Sequence, residues 1–91
     1  MNKQETSLLD AIISIKDNET LDNFLCDILT PAEYRSLRER WKVCQLLHHG
    51  HLSYREIHKL TNASLTTIGR VARFLKEEKY GGYRTILNKL E

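Results

Sequence analysis

The stretch EIHKLTNASLTTIGR, residues 56–70, decides the fold. Apolar residues recur at helical spacing on both sides of Thr61-Asn62-Ala63-Ser64, which interrupts the run. Two short helices joined by a turn of about three residues meet at a steep angle. Ile57 and Leu60 on the first helix are expected to pack with Leu65, Ile68 and Val71 on the second into one small core. Asn62 suits the left-handed turn conformation that asparagine tolerates. Ala63 is small where the helices approach, whereas His58 stands where an alanine would fit more easily. Ser64 can cap the second helix and leave its first turn exposed, carrying Leu65, Thr66, Thr67 and Arg70. In helix-turn-helix proteins such a turn enters the major groove, with its amides and first side chains facing bases and phosphates. The competing structural reading is a helical hairpin that merely completes a core. The polar and basic residues gathered on the exposed turn favour the nucleic-acid reading.

Working outward, glycine and proline are scarce and leucine and isoleucine recur at three-to-four spacing, so the chain reads as all-α. A wide apolar face marks a helix over residues 5–16, and a polar turn at 16–18 leads to a second amphipathic helix over 19–29. Thr30-Pro31-Ala32-Glu33 has the spacing of a capping box with proline at the first helical position. The helix it starts runs through Tyr34, Leu37, Trp41, Cys44 and Leu47, and Gly50 can end it in a left-handed cap. Ser53 and Glu56 repeat the capping box, so the next helix starts near Tyr54. Gly81-Gly82 ends the helix that follows Ser64, and Tyr83 to Leu90 forms a last short one. Six helices result, in one domain over 1–91: dimerisation helices in 1–29, a helix-turn-helix in 53–78 and a C-terminal helix in 80–91. The apolar end faces are wide for a chain of 91 residues. A homodimer is the default expectation, with a compact monomeric bundle as the alternative.

Net charge is +2, but its distribution says more. Residues 1–29 hold two basic and six acidic side chains, and residues 30–73 hold eight basic and three acidic. A basic middle suits a polyanion partner, with a solvated charged face as the plainer account. No apolar run is long enough to span a bilayer and no leader is evident, so a cytoplasmic protein without membrane contact is expected. Cys26 and Cys44 lack zinc or redox spacing and read as reduced, buried thiols.

Taken in order, Leu29 to Glu33, Arg40, Leu46 to Gly50, Ser53 to Ile57 and Leu65 to Arg70 resemble the Trp repressor family. They are more closely similar to its Trp-repressor-like members of the YerC/YecD type. The resemblance spans about residues 8–79. It implies an intertwined all-α homodimer with two reading heads, acting as a bacterial transcriptional regulator on double-stranded DNA. It places DNA contacts on Tyr54, Arg55 and His58 in the first helix of the motif, and on Leu65, Thr66, Thr67 and Gly69 in the second. Arg55 is the best candidate for a guanine edge, since a guanidinium can pair with O6 and N7 together. Thr66 and Thr67 can bond phosphates or meet a thymine methyl, so water and DNA shape carry part of the readout. Lys59 and Arg73 are further phosphate candidates by charge.

The resemblance also implies an effector pocket at Thr30, Arg40, Arg70, Val71 and Phe74. The two arginines and the threonine match residue types that hold tryptophan in the Trp repressor. Val71 stands where the family's ligand binder has glycine, and Phe74 where it has serine. Extra methyl groups and a ring are expected to fill the space, so L-tryptophan is not expected as a ligand. A different small anion, or no effector at all, fits these residues. The plainer reading of Arg40 and Arg70 is phosphate contact or pairing with Glu39, Glu56 or the acidic N-terminal helices.

Other chemistry finds little support. His48-His49-Gly50-His51 with Cys44 invites a metal, but consecutive histidines at a helix end rarely converge, and no metal is expected. No phosphate loop, paired acid motif or nucleophile elbow is present, so no catalytic residue is assigned and an enzyme is not expected. RNA binding is disfavoured because no aromatic stacking platform is evident. The rival from another class is a helix-turn-helix docking module for proteins, served by the apolar tail Tyr80, Tyr83, Ile86, Leu87 and Leu90.

Overall fold

A computed structural model describes residues 5–91. Among the described residues the chain is wholly helical: α1 Leu8–Ile13, α2 Asn18–Ile28, α3 Pro31–His49, α4 Tyr54–Thr61, α5 Leu65–Lys76 and α6 Gly82–Leu90. These helices form two compact units, one ending at Tyr34 and one running Arg35–Glu91. No helix among them is long and apolar enough to cross a membrane.

In the first unit, side-chain caps set the helix starts. The Ser7 hydroxyl accepts the Asp10 amide at 3.0 Å and the Asp17 carboxylate accepts the Thr20 amide at 2.9 Å. Asp17 thereby commits to starting α2, and α1 stops at Ile13 rather than continuing to residue 16. The capping box expected for α3 is present: Glu33 accepts the Thr30 amide at 2.8 Å and Thr30 accepts the Glu33 amide at 3.1 Å. The Tyr34 hydroxyl donates to Asp22 at 2.6 Å and ties the start of α3 to α2. Neither α1 nor α2 fully buries a residue, and Leu9 and Ile13 stay 71% and 77% exposed. The apolar faces are as wide as the periodicity indicates, and the single chain leaves them open. Cys26 on α2 is exposed, against the expectation of two buried thiols.

The second unit holds the core: Val43, Cys44, Ile57, Ala63, Ile68, Val71, Leu75 and Leu87, with Trp41, Leu46, Leu47, Leu52 and Tyr83 packed against it. Burial pushes the Cys44 thiol up to about 11, so it is an inert apolar filler. Gly50 ends α3 with φ +77°, the left-handed cap expected there. Two residues depart from the expected core. Leu60 and Leu65 are each 57% exposed. In α4 the inward positions are Ile57 and, one full turn on, Thr61, which is 8% exposed. Leu65 is the first residue of α5 and projects beyond the packed face.

Candidate nucleic-acid interface

Two capping serines and one left-handed residue build the reading head. Ser53 accepts the Glu56 amide at 3.1 Å while Glu56 accepts the Ser53 amide at 2.9 Å. These bonds to Ser53, with a smaller pull from Lys59, hold the Glu56 carboxyl below its ordinary range. At the other end of α4, Asn62 takes φ +62° and its amide bonds the His58 carbonyl at 3.0 Å.

Thr61 then secures the turn from inside. Its hydroxyl donates to the Ile57 carbonyl at 2.8 Å and accepts the buried Ala63 amide at 3.1 Å. His58 secures it from outside, with Nδ1 2.6 Å from the Ala63 carbonyl. A carbonyl can only accept, so Nδ1 carries the proton and Nε2 is left for an external partner. The apparent misfit of histidine at 58 is thus a staple across the turn.

Ser64 accepts the Thr67 amide at 3.0 Å and donates its hydroxyl to Thr67 Oγ1 at 3.1 Å. The Leu65 and Thr66 amides have no partner among the described residues, so the start of α5 offers two free donors at the positive end of its dipole. Every residue singled out for DNA contact falls on these two helices. Tyr54, Arg55, His58, Leu65 and Thr66 are exposed, and Thr67 and Gly69 are half-buried. Arg55 pairs with no carboxylate among the described residues. Gly69 faces open space: a methyl added there would meet no atom within 4 Å.

The expected effector residues divide. Arg40, Arg70, Val71 and Phe74 line one cavity of about 640 Å³ in the second unit. Thr30 belongs to the first unit, where its hydroxyl and amide both serve the cap of α3. Val71 and Phe74 do not fill the cavity. Val71 is buried in the core at 1% exposure, and Phe74 stands on the wall in a parallel stack with Tyr80, ring centroids 6.4 Å apart. The Arg70 guanidinium lies over the Phe74 ring at 4.3 Å from its centroid. Neither Arg40 nor Arg70 pairs with Glu39, Glu56 or another carboxylate of the second unit among the described residues.

Trp41, Tyr80 and Tyr83 complete the aromatic lining, a role that sequence alone did not indicate. The available signal was Gly81-Gly82, since a sharp turn there carries both tyrosines back over α5. Burial pushes the Tyr83 hydroxyl up, and Arg40 and Arg70 partly offset this.

At the end of α3, His48 pairs with Glu91, and no group of three or more His, Cys, Asp or Glu side chains among the described residues is arranged to hold a metal ion.

A family model described as Trp repressor protein matches residues 3–91. One relative, the uncharacterized protein YerC of Bacillus subtilis (strain 168), is 38% identical over 73 residues, covering 80% of this chain and 69% of that protein. No solved structure matches the chain significantly.

Proposed function

The chain belongs to the Trp repressor family, and on that premise we propose that it is a sequence-specific DNA-binding transcriptional regulator that works as a homodimer and does not respond to L-tryptophan. The observation that carries this reading is the start of α5. Two amides and the Arg55 guanidinium of α4, all without a partner among the described residues, together with the Thr66 hydroxyl offer donors for phosphates and a guanine edge. The exposed apolar faces of α1 and α2 support a second copy as their cover, and two copies would supply two heads for a palindromic site. Insensitivity to tryptophan is supported by Phe74, because the chain supplies its own aromatic ring to Arg70. A cytoplasmic location follows from the function.

Selection from a random duplex library tests the proposal, with binding of the winners measured at two salt concentrations, with and without tryptophan. A palindrome that Arg55→Ala no longer prefers, with affinity falling steeply in salt, is the expected result. Enrichment only when tryptophan is present would overturn the effector part. No enrichment under any condition would leave the docking module as the better reading.

A further inference from the structure

The solvent side of α5 does not end with its first turn. Thr66, Arg70 and Arg73 recur at i, i+4 and i+7 and are all exposed, opposite the buried Ile68, Val71, Ala72 and Leu75. The basic end of this stripe is built on aromatic rings. Arg70 lies 4.3 Å and Arg73 5.1 Å from the centroid of Phe74, which stacks in turn on Tyr80 with the ring planes 7° apart. A third cation, Lys79, sits 6.0 Å from the Tyr80 centroid. Among the described residues one carboxylate answers these charges: Glu78 pairs with Arg73 at Nε, 3.4 Å away. Stacking holds a guanidinium by its face and keeps its edge donors available.

We propose that the Phe74–Tyr80 stack is a positioning device that presets Arg70 and Arg73 as a phosphate clamp, extending the DNA contact toward the C-terminal end of the recognition helix. The clamp rests on the DNA-binding reading above. The two arginines are three residues apart, so they are ~4.5 Å apart along the helix axis. Side chains three residues apart are neighbours on one face, with Cβ atoms ~5–6 Å apart, so each guanidinium can reach one of two neighbouring phosphates. A flexible arginine loses rotamer freedom when it takes a phosphate; one already laid on a ring has lost most of it beforehand. The ring acts through the arginines and need not touch DNA.

The test uses the duplex that the wild-type protein selects, with affinity and its salt dependence measured for each variant. Phe74→Leu is expected to weaken binding about tenfold per reading head, or ~1.4 kcal/mol, with the salt slope unchanged because both charges remain. Tyr80→Ala, at an exposed residue, should give a smaller loss in the same direction. Phe74→Tyr and Phe74→Trp should restore wild-type affinity, since both keep a π face. Arg73→Ala should instead flatten the salt slope by ~0.9 per reading head. The deciding comparison is Phe74→Leu added to the double variant Arg70→Ala, Arg73→Ala. The clamp requires no further loss there, whereas a ring that only supports the fold would still cost its tenfold. That additive result would overturn the clamp and leave DNA binding standing. A wild-type protein that selects no duplex would overturn both.

Discussion

Gly69→Ala should make the protein more stable and worse at binding DNA. Gly69 is the fifth of twelve residues in α5, well inside the helix, and its backbone is ordinary helix rather than left-handed. Glycine in an exposed helix interior is ~0.8–1.0 kcal/mol less favourable than alanine. No atom lies within 4 Å of the position a methyl would take, so no clash offsets the gain. The variant should therefore gain roughly 0.5–1 kcal/mol, worth about 2–8 °C in midpoint for a domain of this size. The chain keeps a destabilising residue that nothing inside it requires. Under the DNA-binding reading, the bare backbone is explained by close approach of the duplex that Thr66 and Arg70 on the same helix would contact. A methyl pressed into a packed interface costs on the order of 1–3 kcal/mol, so affinity should drop about tenfold. Thermal unfolding and duplex titration on the same samples, at equal protein concentration, check both halves. A stabilised variant with unchanged affinity would refute close approach at Gly69. A destabilised one would show that the assembled protein already occupies the space.

Further expectations concern the turn, the caps and the thiols. Thr61→Val leaves the buried Ala63 amide without its partner, costing ~1–3 kcal/mol less the gain from a methyl. Thr61→Ser should retain most of the stability in denaturant titrations, and an equal loss in both would assign the effect to packing instead. The Glu56 carboxyl is held below its ordinary value of about 4.5 by Ser53, so its contribution is present above that pH and disappears as pH falls below it. Unfolding midpoints of wild type and Glu56→Gln should therefore differ at neutral pH and converge in acid; a constant gap would contradict the cap's role. A maleimide should label Cys26 in the native state and Cys44 only on unfolding, because burial holds the Cys44 thiol at about 11.

Local chemistry was legible in the sequence and tertiary choice was not. Ser53, Ser64, Thr30 and Asn62 mark helix boundaries because each satisfies orphan backbone groups within four residues of itself, whatever the rest of the chain does. The inward face of α4 is a different matter. From Ile57 the next inward position is Leu60 at i+3 or Thr61 at i+4, and hydrophobicity favours leucine. The structure takes threonine, because the turn needs an acceptor for the Ala63 amide at that point and only a side chain curled back on its own helix supplies one. The cavity was half legible for a similar reason. Arg40 and Arg70 could be assigned by resemblance, but Tyr80 and Tyr83 join them only because the turn at Gly81-Gly82 carries the chain back over α5. Phe74 was read as a plug since its volume is evident in the sequence, whereas its direction is set by the stack with Tyr80.

Arg70 belongs to two surfaces at once, and under the proposed clamp this sets the sign of the response to a ligand that draws Arg70 into the cavity. It lines the cavity beside Arg40, and it shares the exposed stripe with Thr66 and Arg73 while lying on Phe74. A small anion that enters the cavity and draws Arg70 toward Arg40 removes it from the ring and from the phosphate it would hold. Such a ligand must weaken DNA binding, and by linkage the duplex must weaken the ligand equally. A ligand that strengthened DNA binding by ordering Arg70 would need Arg70 to be disordered without it, and the stacking at 4.3 Å argues against that starting point. L-Tryptophan titrated into the protein with its selected duplex should therefore leave affinity unchanged, and Phe74→Ser should be the variant that creates a response. Tighter duplex binding by the wild-type chain on adding tryptophan would show that Phe74 yields Arg70 to the ligand, and the preset clamp would fall with it.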